Sequence, residues 1–138
     1  MDKMDLILNA LKALGLSPKV DEDDDITFEN ELGQFYIELG GKGFFHLVYP
    51  SFYEVNDLKE KFAVLEICNE INGRVKTVKF FVQKNNVHAT VEAFYSNEED
   101  YRSILVNCIK AIGVGLSKFK DLLGELPDTE GKATLSEK

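Results

Sequence analysis

An acidic run near the N-terminus holds the residues whose types and spacing come closest to metal chemistry. Asp21, Asp23 and Asp25 have the spacing of the first three ligands of a calcium-binding loop, which holds the ion through carboxylate oxygens. Ile26 stands where that loop needs a glycine for its turn, and Leu32 stands where it needs a glutamate with two ligand oxygens. The sequence therefore predicts no EF-hand and no metal site. It predicts a solvated acidic loop with at most a weak, nonspecific attraction for cations.

Residues able to act as nucleophiles or as general acids and bases are few and far apart. The two histidines, His46 and His88, lie in strand patterns whose neighbours two residues away are apolar or neutral. The two cysteines, Cys68 and Cys108, lie in apolar helical patterns, which favours reduced, buried thiols over a disulfide or a metal site. A catalytic role for a histidine would depend on tertiary contacts that the sequence does not show. We expect no catalytic residue and no cofactor.

Two glycine-rich stretches lack the context of a phosphate-binding loop, which joins a strand to the start of a helix. Gly113 and Gly115 lie inside a helical pattern, and the stretch at residues 40–43 lies between two strands. We expect the glycine pair to allow close packing and the second stretch to form a turn.

Asn69 and Asn72 are three residues apart near the end of a predicted helix, so they lie on one side of it. The last turn of a helix leaves backbone carbonyls without partners, and an amide side chain can bind them. A structural role as a helix cap and as a clasp between helix and strand is favoured over a ligand site.

Residues 75–95 have the pattern of a β-hairpin, rich in β-branched and aromatic residues. Asparagine tolerates positive φ, so Asn85 and Asn86 suit a two-residue type I′ turn that places Lys84 opposite Val87. One face of the hairpin is then apolar, which supports this register, because a slip of one residue would mix the two faces. The predicted inward residues are Val78, Phe80, Val82, Ala89, Val91 and Ala93, and the predicted outward residues are Lys79, Phe81, His88, Glu92 and Phe94.

Aromatic residues recur at outward positions of the predicted strands. Phe81 and Phe94 belong to the outward face of the hairpin, and Phe44 and Tyr36 have corresponding positions on earlier strands. We expect these rings to form one exposed aromatic patch, and such patches usually mark contact sites. Phe44, Phe81 and Phe94 are therefore the candidate interface residues.

The remaining periodicities complete an α+β fold. The predicted elements are a helix at 4–14, strands at 26–28, 35–39 and 44–49, a helix at 58–73, strands at 75–84 and 87–95, and a helix at 101–123. Pro50 is expected to end the third strand, and the segment at 52–55 is ambiguous between a loop and a short strand. The order α-β-β-β-α-β-β-α predicts an antiparallel sheet of about five strands with the helices on one face. The other face of the sheet is left open.

The ends and faces of the last two helices also follow from local patterns. Asp57 and Glu60 have the spacing of a capping box at the start of the second helix. Ser96 or Asn97 is expected to cap the third. The stripe that we expect to turn the second helix toward the core consists of Leu58, Phe62, Leu65, Cys68 and Ile71.

Charge and composition exclude several classes of function. The net charge of −8 arises from residues 1–60, which hold 13 acidic and 5 basic residues, because residues 61–138 hold 11 of each. Such a chain would be repelled by phosphate backbones, so we expect no nucleic-acid partner. The sequence shows no cationic leader with an apolar run and no apolar stretch of about 18 residues, so we expect a cytoplasmic protein without a membrane partner.

The length and the 44% apolar content suit one domain with one core. We expect that domain to span residues 1–126. The polar segment at 127–138 has too little apolar surface to offset its ordering entropy, so we expect a disordered tail there.

From about Asp5 to Leu123 the chain resembles the YbjN family, described as bacterial sensory transduction regulators, whose fold is similar to that of type III secretion chaperones. The resemblance is carried by the segment 67–72 and the strand after it, where Asn69 and Asn72 match the family's two asparagines. Ile71 departs from the aromatic residue that the family often has before the second asparagine, and the hairpin turn lacks the family's acidic and glycine residues. The resemblance implies the fold, homodimerisation and a protein-binding role.

Together these observations predict a non-catalytic, cytoplasmic, homodimeric module that binds another polypeptide through its sheet, as a chaperone or adaptor does. The alternative is a regulatory domain that binds a small ligand between helix and sheet. A pocket with convergent polar groups would favour the alternative, and a flat aromatic face would favour protein binding.

Overall fold

The computed structural model describes residues 2–96 and 101–127 and has an α+β fold. Three helices and a six-stranded antiparallel sheet account for it, so the predicted fold class is confirmed with one additional short strand. The elements are α1 Lys3–Ala13, β1 Lys19–Val20, β2 Ile26–Asn30, β3 Gly33–Glu38, β4 Phe44–Glu54, α2 Leu58–Arg74, β5 Val78–Gln83, β6 Asn86–Phe94 and α3 Tyr101–Gly124.

The sheet has the strand order β1-β2-β3-β4-β6-β5, so β3 and β4 are central while β1 and β5 are edges. The helices bury apolar side chains against one face of the sheet, which forms a single core with them. Alternation along the strands produces this division, because successive side chains of a strand point to opposite faces. Ile26 and Phe28 of β2 and Phe35 and Ile37 of β3 are buried in the core, whereas the residues between them are not.

Pro50 does not end its strand, so that prediction is wrong. β4 continues to Glu54, and its pairing with β6 is interrupted by a bulge between Tyr49 and Tyr53. A proline lacks the N–H that a ladder needs and is therefore tolerated where a bulge already breaks the ladder. Ser51 has a φ of +46° within this bulge, and its N–H donates to Nδ1 of His88 at 3.0 Å. Residues 52–54 of the ambiguous segment form the last three residues of β4, and Val55 follows the strand.

The hairpin of β5 and β6 turns one residue earlier than predicted. Lys84 and Asn85 form the two-residue loop with φ values of +50° and +65°, and Asn86 begins β6. Phe80 therefore pairs with Ala89 instead of the residue two positions further along β6. A shift of two residues keeps every side chain on its face. The predicted inward and outward sets are accordingly confirmed even though the pairing is wrong.

α2 turns a different face to the core than its sequence predicted. Of the predicted stripe, Cys68 and Ile71 are buried, but Leu58, Phe62 and Leu65 are 67%, 63% and 41% exposed. α2 packs against β5 and α3, and its buried residues are confined to the stretch from 64 to 71. Leu58, Phe62 and Leu65 lie on the side of α2 that faces away from the core, so their side chains remain in solvent.

α3 begins at Tyr101 and ends at Gly124, where the sequence predicted its end. Its buried residues are Tyr101, Leu105, Cys108, Ile112, Gly115, Leu116 and Phe119. Asn97, one of the two candidate caps of this helix, lies outside the described residues, and so does the predicted tail apart from Pro127.

Candidate binding face of the sheet

The outer face of the sheet, defined as the face that no described helix covers, has a depression at its centre. Strand register places Tyr36, Val48, Thr90 and Lys79 in one row across β3, β4, β6 and β5. Val48 and Thr90 are buried although no element packs above them, because longer side chains surround these two short ones. The resulting outer-face depression has a volume of about 450 Å³.

A second row, formed by Glu38, His46 and Glu92, bounds one end of the depression. Nδ1 of His46 lies 3.2 Å from a carboxylate oxygen of Glu38, and Nε2 lies 3.8 Å from a carboxylate oxygen of Glu92. Because a carboxylate only accepts hydrogen bonds, the neutral imidazole carries its proton on Nδ1. In this neutral form Nε2 of His46 is an acceptor that faces a second acceptor, whereas a protonated ring would direct an N–H toward Glu92.

Two buried polar atoms beside the depression have no hydrogen-bond partner in the described chain, namely Oγ1 of Thr90 and Nε2 of His46. Thr90 is only 4% exposed, so water satisfies its hydroxyl poorly. The single lysine that lines the depression, Lys79, is already committed to Glu92 at 3.2 Å. The centre of the outer face therefore carries two carboxylates, Glu38 and Glu92, and a single lysine.

The opposite end of the depression is aromatic. The ring of Phe81 stacks on His88 with a centroid separation of 5.4 Å, and Tyr36 forms the wall on β3. Burial raises the pKa of Tyr36 above its usual value, and the negative charges of Glu38 and Asp25 raise it further. The acidic run is thus close enough to add to the negative field over this part of the sheet.

The candidate interface residues lie on the outer face but in two separate groups. Phe44 and Phe94 are directly opposite each other on β4 and β6, with a centroid separation of 5.5 Å. Phe94 is 88% exposed. Phe81 lies three rows away, beyond Glu92 and Thr90. The expected single aromatic patch is therefore not present, because polar side chains occupy the rows between its members.

The three aspartates of the acidic run lie together as their spacing suggested. Carboxylate oxygens of Asp21, Asp23 and Asp25 all lie within 4.8 Å of one another. Oδ1 of Asp21 accepts hydrogen bonds from the backbone N–H groups of the other two at 2.9 Å, which closes the loop. Burial and then the nearby charge of Asp21 raise the pKa of Asp25. The backbone hydrogen bonds keep these carboxylates close together despite their mutual repulsion.

Asn72 links α2 to β5 by two hydrogen bonds. Its amide oxygen accepts from the backbone N–H of Phe80 at 2.7 Å, and its amide nitrogen donates to the carbonyl of Phe80 at 2.9 Å. In an antiparallel strand both backbone groups of one residue point to the same side. Asn72 therefore occupies the free edge of β5 as a neighbouring strand would, whereas Asn69 is exposed one turn earlier. The clasp between helix and strand is present for Asn72.

Both cysteine thiols are buried in the core and unpaired. Burial raises the pKa of the Cys68 thiol to about 11 and that of the Cys108 thiol to about 11. A thiol in that state is a poor nucleophile at neutral pH.

Sequence reasoning missed the row of Glu38, His46 and Glu92 and the unpartnered hydroxyl of Thr90. The row joins three strands whose register depends on loop geometry, so residue spacing along the chain does not reveal it. The outward position of each of these residues in its strand pattern was the one sequence signal that pointed to this face.

A comparison with known protein families identifies the family of this chain. A family profile described as "putative bacterial sensory transduction regulator" matches residues 3–97, more than half of the chain. The chain belongs to the YbjN family. The match covers α1 to β6 but not α3, so it is shorter than the expected span to Leu123. No curated protein matches the chain.

The YbjN description indicates a regulatory module related to bacterial sensory transduction and names no enzymatic activity. The likeness to type III secretion chaperones stays a prediction. Within the described ranges, no helix of this YbjN protein is long and apolar enough to cross a membrane.

Proposed function

We propose that this YbjN protein is a non-catalytic, cytoplasmic regulatory module that binds a segment of another polypeptide on the outer face of its sheet. The observation that carries this proposal is the face itself, where a depression with aromatic walls and unpartnered polar atoms lies under no described helix. Aromatic side chains are enriched at protein contact sites. Phe44, Phe81 and Phe94 belong to this face and are its proposed interface residues.

The chemistry of the described side chains supports a role without catalysis. The thiols of Cys68 and Cys108 are buried with raised pKa values. The Nδ1 atoms of His46 and His88 are engaged with Glu38 and the backbone N–H of Ser51. The proposal requires no metal and no cofactor, and the net charge of −8 disfavours nucleic acid as the partner. Reduced, buried thiols agree with a cytoplasmic location.

The alternative, a small ligand between the helices and the sheet, has less support. Gly115 of α3 packs so closely on Phe80 of β5 that a Cβ at this position would lie 2.5 Å from the ring. That part of the interface between helix and sheet is therefore filled by the protein itself. The outer-face depression is the better-formed site of the two.

Site-specific photo-crosslinking in bacterial cells of the source species tests the proposal. A benzoylphenylalanine at position 81 on the outer face should capture a partner protein, and the same group at Val114, exposed on α3, is the matched control. Capture from position 81 alone supports the proposal. Equal capture from both positions, or none from either, overturns it.

We propose further that the protein is a homodimer, with the exposed stripe of α2 as its contact. Leu58, Phe62 and Leu65 form one continuous ridge at i, i+4 and i+7 spacing, which leaves the outer face free for the partner. Lys59 and Glu66 are seven residues apart on one flank of this ridge. In an antiparallel pair of α2 helices, each Lys59 would meet the Glu66 of the other copy, so the stripe is complementary to itself.

Light scattering of the full chain tests the dimer. The wild type should have twice the mass of one chain, and Phe62→Ser combined with Leu65→Ser should halve it while circular dichroism stays the same. Phe94→Ser combined with Phe81→Ser is the matched control and should remain dimeric. A monomeric wild type overturns the dimer, and dissociation by the control alone moves the contact to the outer face.

A further inference from the structure

We propose that the outer-face depression receives an arginine side chain of the bound polypeptide, an inference that rests on the proposed protein-binding function. Three side chains that can accept a hydrogen bond line it: Oγ1 of Thr90 and Nε2 of His46 have no partner in the described chain, and the carboxylate of Glu92 pairs with Lys79. Thr90 is 4% exposed and lines the depression, so the lack of a hydrogen-bond partner for its hydroxyl destabilises the unbound protein.

The two carboxylates and the unpartnered acceptors that line the depression favour a cationic donor over an acidic or aliphatic occupant. Nδ1 of His46 is engaged with Glu38 at 3.2 Å, which leaves Nε2 as an acceptor 3.8 Å from Glu92. A carboxylate ligand would add another acceptor to this place, and an aliphatic ligand would leave Oγ1 of Thr90 and Nε2 of His46 without partners.

The shape of the depression suits the length of an arginine. Val48 and Pro50 give it an apolar floor, along which a methylene stem can lie while the charged group reaches the polar row. Tyr36 and Phe81 line the depression with aromatic rings, on which a planar guanidinium packs favourably.

Electrostatics favours the same occupant. Glu38 and Glu92 line the depression together with a single lysine, Lys79, which lies beside Glu92 on the edge strand, and the charge of Asp25 also acts on Tyr36. A guanidinium carries five donors in a planar fork, whereas an ammonium carries three around one point. The separate acceptors on β4 and β6 match the fork better than the point charge.

Titration of the full chain with short peptides, followed by amide chemical shifts in NMR, tests the inference. The probe is acetyl-Gly-Val-Arg-Val-Gly-amide, and matched peptides carry lysine or neutral citrulline in place of arginine. We expect the arginine peptide to shift the amide signals of Val48, Thr90 and their neighbours. We expect its affinity to exceed that of the citrulline peptide at least tenfold.

Two variants separate a binding role from a structural one. Thr90→Val keeps the shape of the side chain and removes the unpartnered hydroxyl, so it should not unfold the protein, yet it should weaken the arginine peptide about tenfold. Glu92→Gln should weaken it by a similar factor. Glu125→Gln, an equal charge change at the exposed end of α3, should leave the affinity unchanged.

The outcomes distinguish this inference from the proposed function. Equal affinity for the arginine and citrulline peptides, or equal weakening by Glu125→Gln and Glu92→Gln, overturns the arginine site. No shift at the depression with any peptide also overturns it, and crosslinks from position 81 would then show that the outer face still binds protein. Unchanged affinity in Thr90→Val would assign that residue a structural role only and refute the donor-acceptor reasoning.

Discussion

The contact between α3 and β5 provides the sharpest test of the packing. A Cβ added to Gly115 would lie 2.5 Å from Cε1 and 2.7 Å from Cζ of Phe80, distances that real Cβ atoms do not show. A Cβ added to Gly113, two residues earlier in the same helix, would lie 3.8 Å from Cδ1 of Leu32, an ordinary contact. Gly115→Ala and Gly113→Ala therefore add the same methyl group, at one position where it would clash and at another where it has room.

The ring of Phe80 has little freedom to move away from a new methyl group. It lies in contact with the rings of Phe52 and Phe119, at centroid separations of 5.7 Å and 6.3 Å. Its backbone is fixed to Asn72 by two hydrogen bonds. Overpacking in such a site costs about 1–3 kcal/mol. Both substitutions also gain up to about 1 kcal/mol, because alanine favours a helix interior over glycine.

We expect Gly113→Ala to raise the free energy of unfolding by about 0.5–1 kcal/mol. The free energy of unfolding of Gly115→Ala should be about 1–3 kcal/mol lower than that of Gly113→Ala. The gain in helix propensity is the same in both variants, so the difference between them is the overpacking cost. Urea denaturation followed by circular dichroism measures both values, and an unchanged m-value shows that the unfolding reaction is the same.

A second substitution identifies the atom that causes the clash. Phe80→Leu removes the ring atoms that would clash with the new methyl group. It should therefore lower the free energy of unfolding less in the Gly115→Ala variant than in the wild type. Equal stability of the two alanine variants, or full additivity of Phe80→Leu with Gly115→Ala, would refute the close contact between the helix and the ring.

Three further predictions follow from the buried thiols, the acidic loop and the clasp. Cys68 and Cys108 should resist a thiol reagent at pH 8 in the folded protein and react fully in urea, because burial raises both pKa values to about 11; reaction at native rates would contradict their burial. The pKa of Asp25 is raised, so the folded state binds this proton more tightly than the unfolded state, and the stability that the proton confers is lost as pH rises through the raised pKa. Asp25→Asn should therefore stabilise the protein by less than about 0.5 kcal/mol at pH 7, with a gain that shrinks toward pH 4 in thermal melts; a gain independent of pH would exclude the carboxylate as its cause. Asn72→Ala should lower the free energy of unfolding by about 1–3 kcal/mol and promote association through the uncovered edge of β5, as seen by light scattering, whereas Asn69→Ala should change stability by less than about 0.5 kcal/mol; equal effects would mean that the clasp contributes nothing.

Local patterns were enough for the elements of this fold and for the division of each strand into two faces. The capping box at Asp57 begins α2, and the side chain of Asp57 accepts from the N–H of Glu60 at 2.8 Å as predicted. The alternation in β5 and β6 separated the core face from the outer face, because the pleat of a strand imposes a period of two whatever lies nearby. The acidic loop also closed as a local structure, since Asp21 bonds to residues two and four positions later.

The same patterns misjudged each feature in which a distant segment takes part. Asn85 lies in the turn with Lys84 because its carbonyl accepts from the N–H of Val55 at 2.8 Å, beyond the end of β4. The sequence predicted that Pro50 ends its strand, but β4 continues through a bulge in its pairing with β6. Nδ1 of His88 on β6 accepts a hydrogen bond from the backbone N–H of Ser51 in this bulge.

The amino-acid sequence by itself determined most of the residues that form helices and strands, because those choices depend mainly on neighbours within a few positions. Only the tertiary structure decided that Leu58, Phe62 and Leu65 of α2 remain in solvent, since that depends on which face of the helix packs against α3 and β5. Only the tertiary structure brought Glu38, His46, Thr90 and Glu92 together, because a row across a sheet is set by the register of three strands. Register follows from the best total burial of the whole core, and the alternation along one strand does not distinguish registers that differ by two residues.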